Sequence, residues 1–427
     1  MPSLPGSWSR LDNAALMYSA LQREDYSAVY RFSALMRQPV DPVLLQQAVD
    51  TTLPRFPGFA VRIKQGVFWY YFEPNHAPGP FVQPDIANPC QPVRFRKGED
   101  WLIRFFYYER RISMEVFHAL ADGSGALTFF RTLLAVYLRL CGHDIPNEGG
   151  VLDVTAPPDP AEQEDAYSRY GHARKCLGMR EPPAYACLGE KEPFYTLNVT
   201  MGLVSVAQLK AVAKGYGASI TEYLAAVLLE SIQIRQRREG RRKEKQVALA
   251  VPINLRPHFP SPTLRNFILT VRPAIDPELG DYTFPEIVSQ VHHHMRLHIN
   301  RVEMQATIAG NVALQNNLLL QLVPSPIKNL ALDLSYRLIG NRPYSTTLTN
   351  PGVFKVPAAM EEHIERMEMI LGQSYTARSN CACISYGDTL TITFAGIVKD
   401  TDMEREFFRH LVREGIHVKV ISNRKTC

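Results

Sequence analysis

The chain has 427 residues, 46% hydrophobic, 10% aromatic and 21% charged. It is too long for one ordinary core and apolar enough to offset the entropy of ordering, which excludes a peptide ligand, a minimal binding module and wholesale disorder. Lys plus Arg number 47 against 42 Asp plus Glu, a net charge of +5, too small an excess over this length to call for a nucleic-acid partner.

The opening, MPSLPGSWSRLDNAALMYS, lacks the basic-then-apolar order of a signal peptide, and nowhere does an apolar run reach the roughly 18 residues of a membrane span. Alternating apolar residues predict a strand over 29–36, and apolar residues at three and four predict a helix over 43–53 behind Pro42; a strand over 59–63 completes a β-α-β unit. Aromatic-rich strands follow in GVFWYYFEP, PVRFRKG, WLIRFFYYE and ISMEVFH, the last two forming a hairpin that turns at Arg110 and Arg111 and ends at His118. The residues ALADGSG break that strand, and ALTFFRTLLAVYLRL carries the 3.6 period of a buried helix with Ser124 as its N-cap.

From 147 to 193 the periodicity lapses, with prolines at 157, 158 and 160 and acids at 162, 164 and 165. A crossing between two lobes is placed at 161–195, between an N-terminal lobe over 1–160 and a C-terminal lobe over 196–427. The second half reads as a strand in FYTLNVTMGLV, helices over 206–214 and 220–237, strands in QVALAVPIN and FILTVRP around the irregular LRPHFPSPTLRN, and two or three helices within 284–338. Strands in TTLTN, CACISYG and LTITFAGIV, a helix over 404–414 and a strand in HVKVI close the chain. Both halves mix strands with helices, so the fold class is α/β (α+β), two lobes each built on a mixed sheet covered by helices.

The segment FHALADGSG carries the clearest chemical signal. It sets a histidine at a strand end, an acid four residues later, and Gly123 and Gly125 to let the backbone turn sharply before a helix. An imidazole titrates near neutrality and can take a proton from an alcohol or amine attacking a carbonyl, while Asp122 would orient the loop by pairing with an arginine. From the residues alone, a structural reading stands beside this one: His118 satisfying a core hydrogen bond and Asp122 capping the helix.

FHALADGSGALTFFRTLL resembles the HxxxD motif of the chloramphenicol acetyltransferase-like superfamily, and RLDNAALMYS and VPINLRPHFPSPTLRNFILTVRP are similar to its alcohol acetyltransferase and condensation-domain-like branch. The resemblance implies two lobes of similar fold meeting at a tunnel that donor and acceptor enter from opposite faces. It implies His118 as general base, Asp122 as a structural acid facing Arg256, and Asn266 at the site of a Gly-Asn pair whose glycine is here Arg265. Thr349 and Asn350 of TTLTN, together with Asn266, are the candidates for the oxyanion or substrate contacts.

Phe117 stands where condensation domains have a second histidine, which favours a free-standing acyltransferase. The implied activity moves an acyl group, acetyl in the first instance, from acyl-CoA to a small alcohol or amine without an acyl-enzyme. Acyl-CoA is a co-substrate, and no permanently bound cofactor or metal is expected. The alternatives are transfer from an acyl carrier protein and a non-catalytic binding protein of the same fold. The protein is expected to be cytoplasmic, and its seven cysteines, which form no CxxC or zinc-ligand spacing, to be reduced thiols.

Other signals are weaker. His292, His293, His294 and His298 lack the carboxylate of an H-E-x-x-H site and read as a solvated helix face. The basic run Arg235, Arg237, Arg238, Arg241, Arg242, Lys243 and Lys245 reads as a solvated helix end, with coenzyme A phosphates or an acidic carrier protein as its functional partners. DGSG is not a G-x-S-x-G elbow, and neither a P-loop nor a dinucleotide fingerprint occurs.

Overall fold

The computed structural model describes residues 8–21, 26–94, 101–172, 181–187, 189–240, 244–317, 322–324, 327–328, 331, 343–373 and 379–424. Two sheets organise these residues. The first runs Ile364–Leu371, Val29–Met36, Arg111–Phe117, Ile103–Tyr108, Val82–Pro84, antiparallel except for its last pair. Pro42–Thr52 and Gly123–Leu140 are the long helices of the core built on it. The second sheet has eight strands, in the order Ile268–Val271, Val247–Asn254, Thr346–Thr349, Ser379–Tyr386, Thr389–Gly396, Asn198–Ser205, Lys419–Ser422, with Ala274–Ile275 also paired to Val247–Asn254.

Successive side chains of a strand point to opposite faces, and the second sheet uses both. Cys381, Cys383, Leu390, Ile392 and Phe394 face a core shared with the helices Ile220–Arg238 and Asp402–Arg413, whereas Ala382, Ile384, Tyr386, Ala395 and Ile397 join the core of the first lobe. A small third sheet of Ser9–Arg10, Tyr70–Pro74 and Val61–Gln65 pairs with neither and adds Ile63, Tyr70 and Phe72 to the first core.

Several expected elements shift. The helix expected over 43–53 is Pro42–Thr52, capped by the Asp41 carboxylate, and a 3-10 turn at Leu53–Arg55 delays the next strand to Val61–Gln65. GVFWYYFEP becomes strand only at Tyr70–Pro74; Pro92 to Arg94 of PVRFRKG form none, and its remainder lies outside the described residues. The hairpin turns at Glu109 and Arg110, with Glu109 at φ +50°, so Arg111 already belongs to the second strand, which ends at Phe117. The cap of the long helix is Asp122 and not Ser124, because its carboxylate accepts from Ser124 N and Gly125 N. Of the span 284–338, Phe284–His298 and Arg301–Gln315 are helical and most of the rest lies outside the described residues.

Ile364–Leu371 was not expected as a strand. It pairs along Val29–Met36, from Ile364 opposite Met36 to Leu371 opposite Tyr30, so the C-terminal part of the chain supplies a strand to the first sheet, across the division drawn at 196. The short helix Ala166–Tyr170, within the expected crossing, is also new; its Tyr167 hydroxyl donates to Ile268 O at 2.8 Å and anchors that stretch to the second sheet.

Candidate active site

His118 follows the strand Arg111–Phe117, and its backbone N donates to Ala28 O at 2.8 Å, fixing where the ring projects. The ring stacks on Tyr18 at 4.2 Å between centroids and meets the edge of Tyr30 at 5.0 Å. The Tyr30 hydroxyl donates to Ala121 O at 2.9 Å, so the edge-on ring is itself pinned. Burial lowers the His118 pKa from the ordinary 6.5, against the opposing pull of its own carbonyl, Asp122 and Asn266.

Asn266 determines the tautomer. Its Nδ2 donates to His118 O at 2.9 Å and to Ala119 O at 3.5 Å, and its Oδ1 faces His118 Nδ1 at 3.1 Å. Turning the amide over would set an oxygen against two carbonyls, so Oδ1 is the acceptor and His118 Nδ1 carries the proton. Nε2 is left as the basic nitrogen, with no hydrogen bond among the described residues. Asn266 therefore holds the imidazole; with its amide hydrogens directed at backbone carbonyls, it is not placed as an oxyanion donor.

Asp122, 1% exposed, turns away from the imidazole. Oδ1 caps the helix, accepting from Ser124 N at 3.0 Å and Gly125 N at 3.1 Å. Oδ2 accepts from Arg256 Nη1 and from Phe267 N, both at 2.8 Å. The Arg256 guanidinium also donates to Thr263 O, Arg265 O and Asn254 Oδ1, and so ties the irregular loop after the strand Val247–Asn254 to the first lobe. Arg265, where the resemblance has glycine, donates to Arg10 O at 2.8 Å and lies 3.4 Å from the buried Asp12 carboxylate ahead of the helix that carries Tyr18. The two structural roles considered for this segment, core hydrogen bonding and helix capping, are thus both present together with the interlobe ion pair.

Neither Gly123 nor Gly125 turns the chain; both sit in the first helical turn without positive φ. Gly125 is required for another reason: a Cβ there would lie 1.9 Å from Leu264 O, a backbone atom of the other lobe, whereas one at Gly123 would meet only Phe32 at 3.7 Å. Gly125→Ala is expected to push the lobes apart and destabilise the protein by about 1–3 kcal/mol, the usual scale of overpacking. Thermal unfolding checks it, and an unchanged Tm would contradict the close approach.

These groups border a cavity of about 490 Å³ between the lobes, within the range of small-molecule sites. Tyr18, Tyr30 and His118 form part of one wall with Met369 and Leu371; Ala250, Pro252, Thr347 and Thr349 form part of the other. Asn350 lines it too, but its side chain donates to Thr221 Oγ1 at 3.1 Å and accepts from Gly352 N at 2.9 Å. The Thr349 hydroxyl makes no hydrogen bond among the described residues, which leaves it the better placed of the pair to donate to a ligand. Tyr18 and Tyr30 were not singled out by sequence reasoning, although Tyr18 lies within RLDNAALMYS.

The remaining clusters are elsewhere engaged. His292 faces Glu222 at 3.2 Å and His298 faces Glu303 at 2.8 Å. Arg235 pairs with Asp400, Arg237 with Asp281 and Arg238 with Glu406; Arg241, Arg242 and Lys243 lie outside the described residues.

No protein-family model and no curated protein matches the chain. Among solved structures it is similar to polyketide synthase associated protein 5 from Mycobacterium tuberculosis, at 16% identity and TM-score 0.64 over 96% of this chain and 98% of that one. It is similar to trichothecene 15-O-acetyltransferase from Fusarium sporotrichioides, at 9% identity and TM-score 0.60 over 97% and 98%. A third is the starter condensation domain of rhizomide synthetase in complex with C8-CoA and Leu-SNAC, at 14% identity and TM-score 0.59 over 96% and 94%. The chain has the fold that these proteins share, the one its HxxxD resemblance implies. No helix among the described residues is long and apolar enough to cross a membrane.

Proposed function

We propose that the protein is an acyltransferase in which His118 is the general base, moving an acyl group, acetyl in the first instance, from acyl-CoA to a small alcohol or amine. Nε2 takes the acceptor proton as the acceptor oxygen or nitrogen bonds to the thioester carbonyl carbon. The tetrahedral oxyanion then collapses, the C–S bond breaks, and the proton passes from Nε2 to the departing thiolate. Thr349 is proposed to donate to the oxyanion. No acyl-enzyme is required, and neither is a metal or a resident cofactor.

The observation that carries this reading is the Asn266 contact, which keeps the proton on Nδ1 and leaves Nε2 as a base at a cavity between two lobes. Asp122 and Arg256 would act by holding the loop and joining the lobes, without touching substrate. Acyl-CoA as donor is supported by the fold shared with a domain solved with C8-CoA. A carrier-protein donor draws less support, because Arg235, Arg237 and Arg238 are paired with carboxylates. A non-catalytic role would fit a His118 remote from any cavity, and His118 borders one.

Thiol release from acetyl-CoA and longer acyl-CoAs, with pooled alcohols and amines, tests the reading; absence of acceptor-dependent release would defeat it. The pH profile is a second check. The base must be neutral, and burial depresses its pKa, so activity is present above the folded-state pKa and is lost as pH falls through it. The acid limb of kcat/KM for the free enzyme is therefore expected below the ordinary 6.5; a limb above that value would contradict a buried base.

A further inference from the structure

The wall of the cavity opposite the imidazole is made by three adjacent strands, each presenting alternate residues. The middle strand, Val247–Asn254, supplies the small or flat side chains Ala250 and Pro252. On one side Thr270 stands opposite Pro252, and on the other Thr347 stands opposite Ala250. Thr349 follows two residues along, on the same face as Thr347. With neighbouring strands about 4.8 Å apart, this forms a trough floored by Ala250 and Pro252, with threonine hydroxyls along both rims roughly 10 Å from one another.

The hydroxyls of Thr270, Thr347 and Thr349 make no hydrogen bond among the described residues, whereas Thr346, on the other face of its strand, donates to Ser379 O at 2.5 Å. The facing wall offers Met369 and Leu371. Among the described lining residues the ionisable groups are His118, the tyrosines and Asp122, and both Asp122 oxygens are already taken by helix capping, Phe267 N and Arg256.

We propose that the acceptor is an uncharged alcohol bearing a second oxygen function. Its apolar face lies on Met369 and Leu371, and its second oxygen is held by Thr270 or Thr347 on the rims of the trough. This rests on the acyl-transfer reading and narrows it, choosing hydroxyl over amine. An aliphatic amine reaches the site as an ammonium ion at neutral pH, with a pKa near that of a lysine, about 10, and burying that charge without an anionic partner is costly. A hydroxyl brings no charge, and each additional oxygen finds a donor or acceptor already in place.

The test uses the full chain, acetyl-CoA and three acceptors of one carbon skeleton: the mono-alcohol, the 1,3-diol and the primary amine. The wild type is expected to show a higher kcat/KM for the diol than for either of the others. In the double variant Thr270→Val/Thr347→Val the diol-to-mono-alcohol ratio is expected to fall about three- to tenfold, the scale of one hydrogen bond. Valine keeps the shape and strand preference of threonine, and an unchanged Tm certifies the fold. A ratio that does not move in the double variant, or a wild type that prefers the amine, overturns the proposal while leaving acyl transfer standing. No acceptor-dependent thiol release from any of the three or from wider pools overturns the acyl-transfer reading itself, and this proposal with it.

Discussion

Replacing His118 with alanine is expected to lower acceptor-dependent thiol release by about 10²–10⁴-fold, the usual contribution of a positioned acid–base group. The loss should appear in kcat as well as in kcat/KM, because the proton moves only as the transition state forms. The variant keeps the backbone of the site: residue 118 still donates to Ala28 O, and its carbonyl still accepts from Asn266. What disappears is the ring between Tyr18, Tyr30 and Asn266. A cooperative thermal transition beside the lost activity would separate a missing base from a missing fold. Turnover at the wild-type rate would remove His118 from the mechanism.

Asp122→Asn is expected to cost about 3–5 kcal/mol of stability, the scale for removing one partner of a buried ion pair, and to lower activity with it. Four groups point at this carboxylate, Ser124 N, Gly125 N, Phe267 N and Arg256 Nη1, and every one is a donor. A carboxylate accepts from all four. An asparagine amide has one oxygen and one NH2, so whichever way it is turned, two donors of the protein meet a third. Either the helix loses its cap or Arg256 and Phe267 N lose their acceptor, and in the second case a partly buried guanidinium keeps its backbone carbonyls but loses the carboxylate that balances its charge. Melting curves of the two proteins decide the matter, and an unaltered transition would mean that the pair contributes nothing to joining the lobes.

What the chain discloses of this arrangement, and what it hides, follows the range of the interactions. The strand Val29–Met36, the hairpin and the long helix after His118 are local patterns of period 2 and 3.6, and they are readable as such. Ile364–Leu371 is not, because it carries Glu365 and Glu368, a residue type depleted in strands, and the register shifts between Ile364 and Arg366, so the alternation that marks a strand is broken where the bulge occurs. Ser124 looks like a cap because serine suits the position, but Asp122 lies two residues nearer the strand and its carboxylate takes the amides of Ser124 and Gly125, so the helix already begins at Gly123.

The site divides in the same way. His118, Asp122 and Arg256 could be named from the motif and the resemblance. The geometry of Asn266 could not, since it depends on a partner 148 positions away, and neither could the requirement for Gly125, set by the backbone of Leu264. The stacking of Tyr18 on the imidazole likewise joins residues distant in the chain.

The strand Ile364–Leu371 also governs the order in which the molecule can be completed. During synthesis the ribosome releases Val29–Met36 early, already able to pair with Arg111–Phe117 on one side. Its other edge stays open until the last part of the chain has emerged. An unpaired strand edge is a template for association with other chains, and long-range pairing of this kind is slow. The nascent protein therefore passes through a stage in which its first sheet is formed but unsealed, and truncation anywhere before 364 should yield chains that aggregate through that edge instead of a free-standing first lobe.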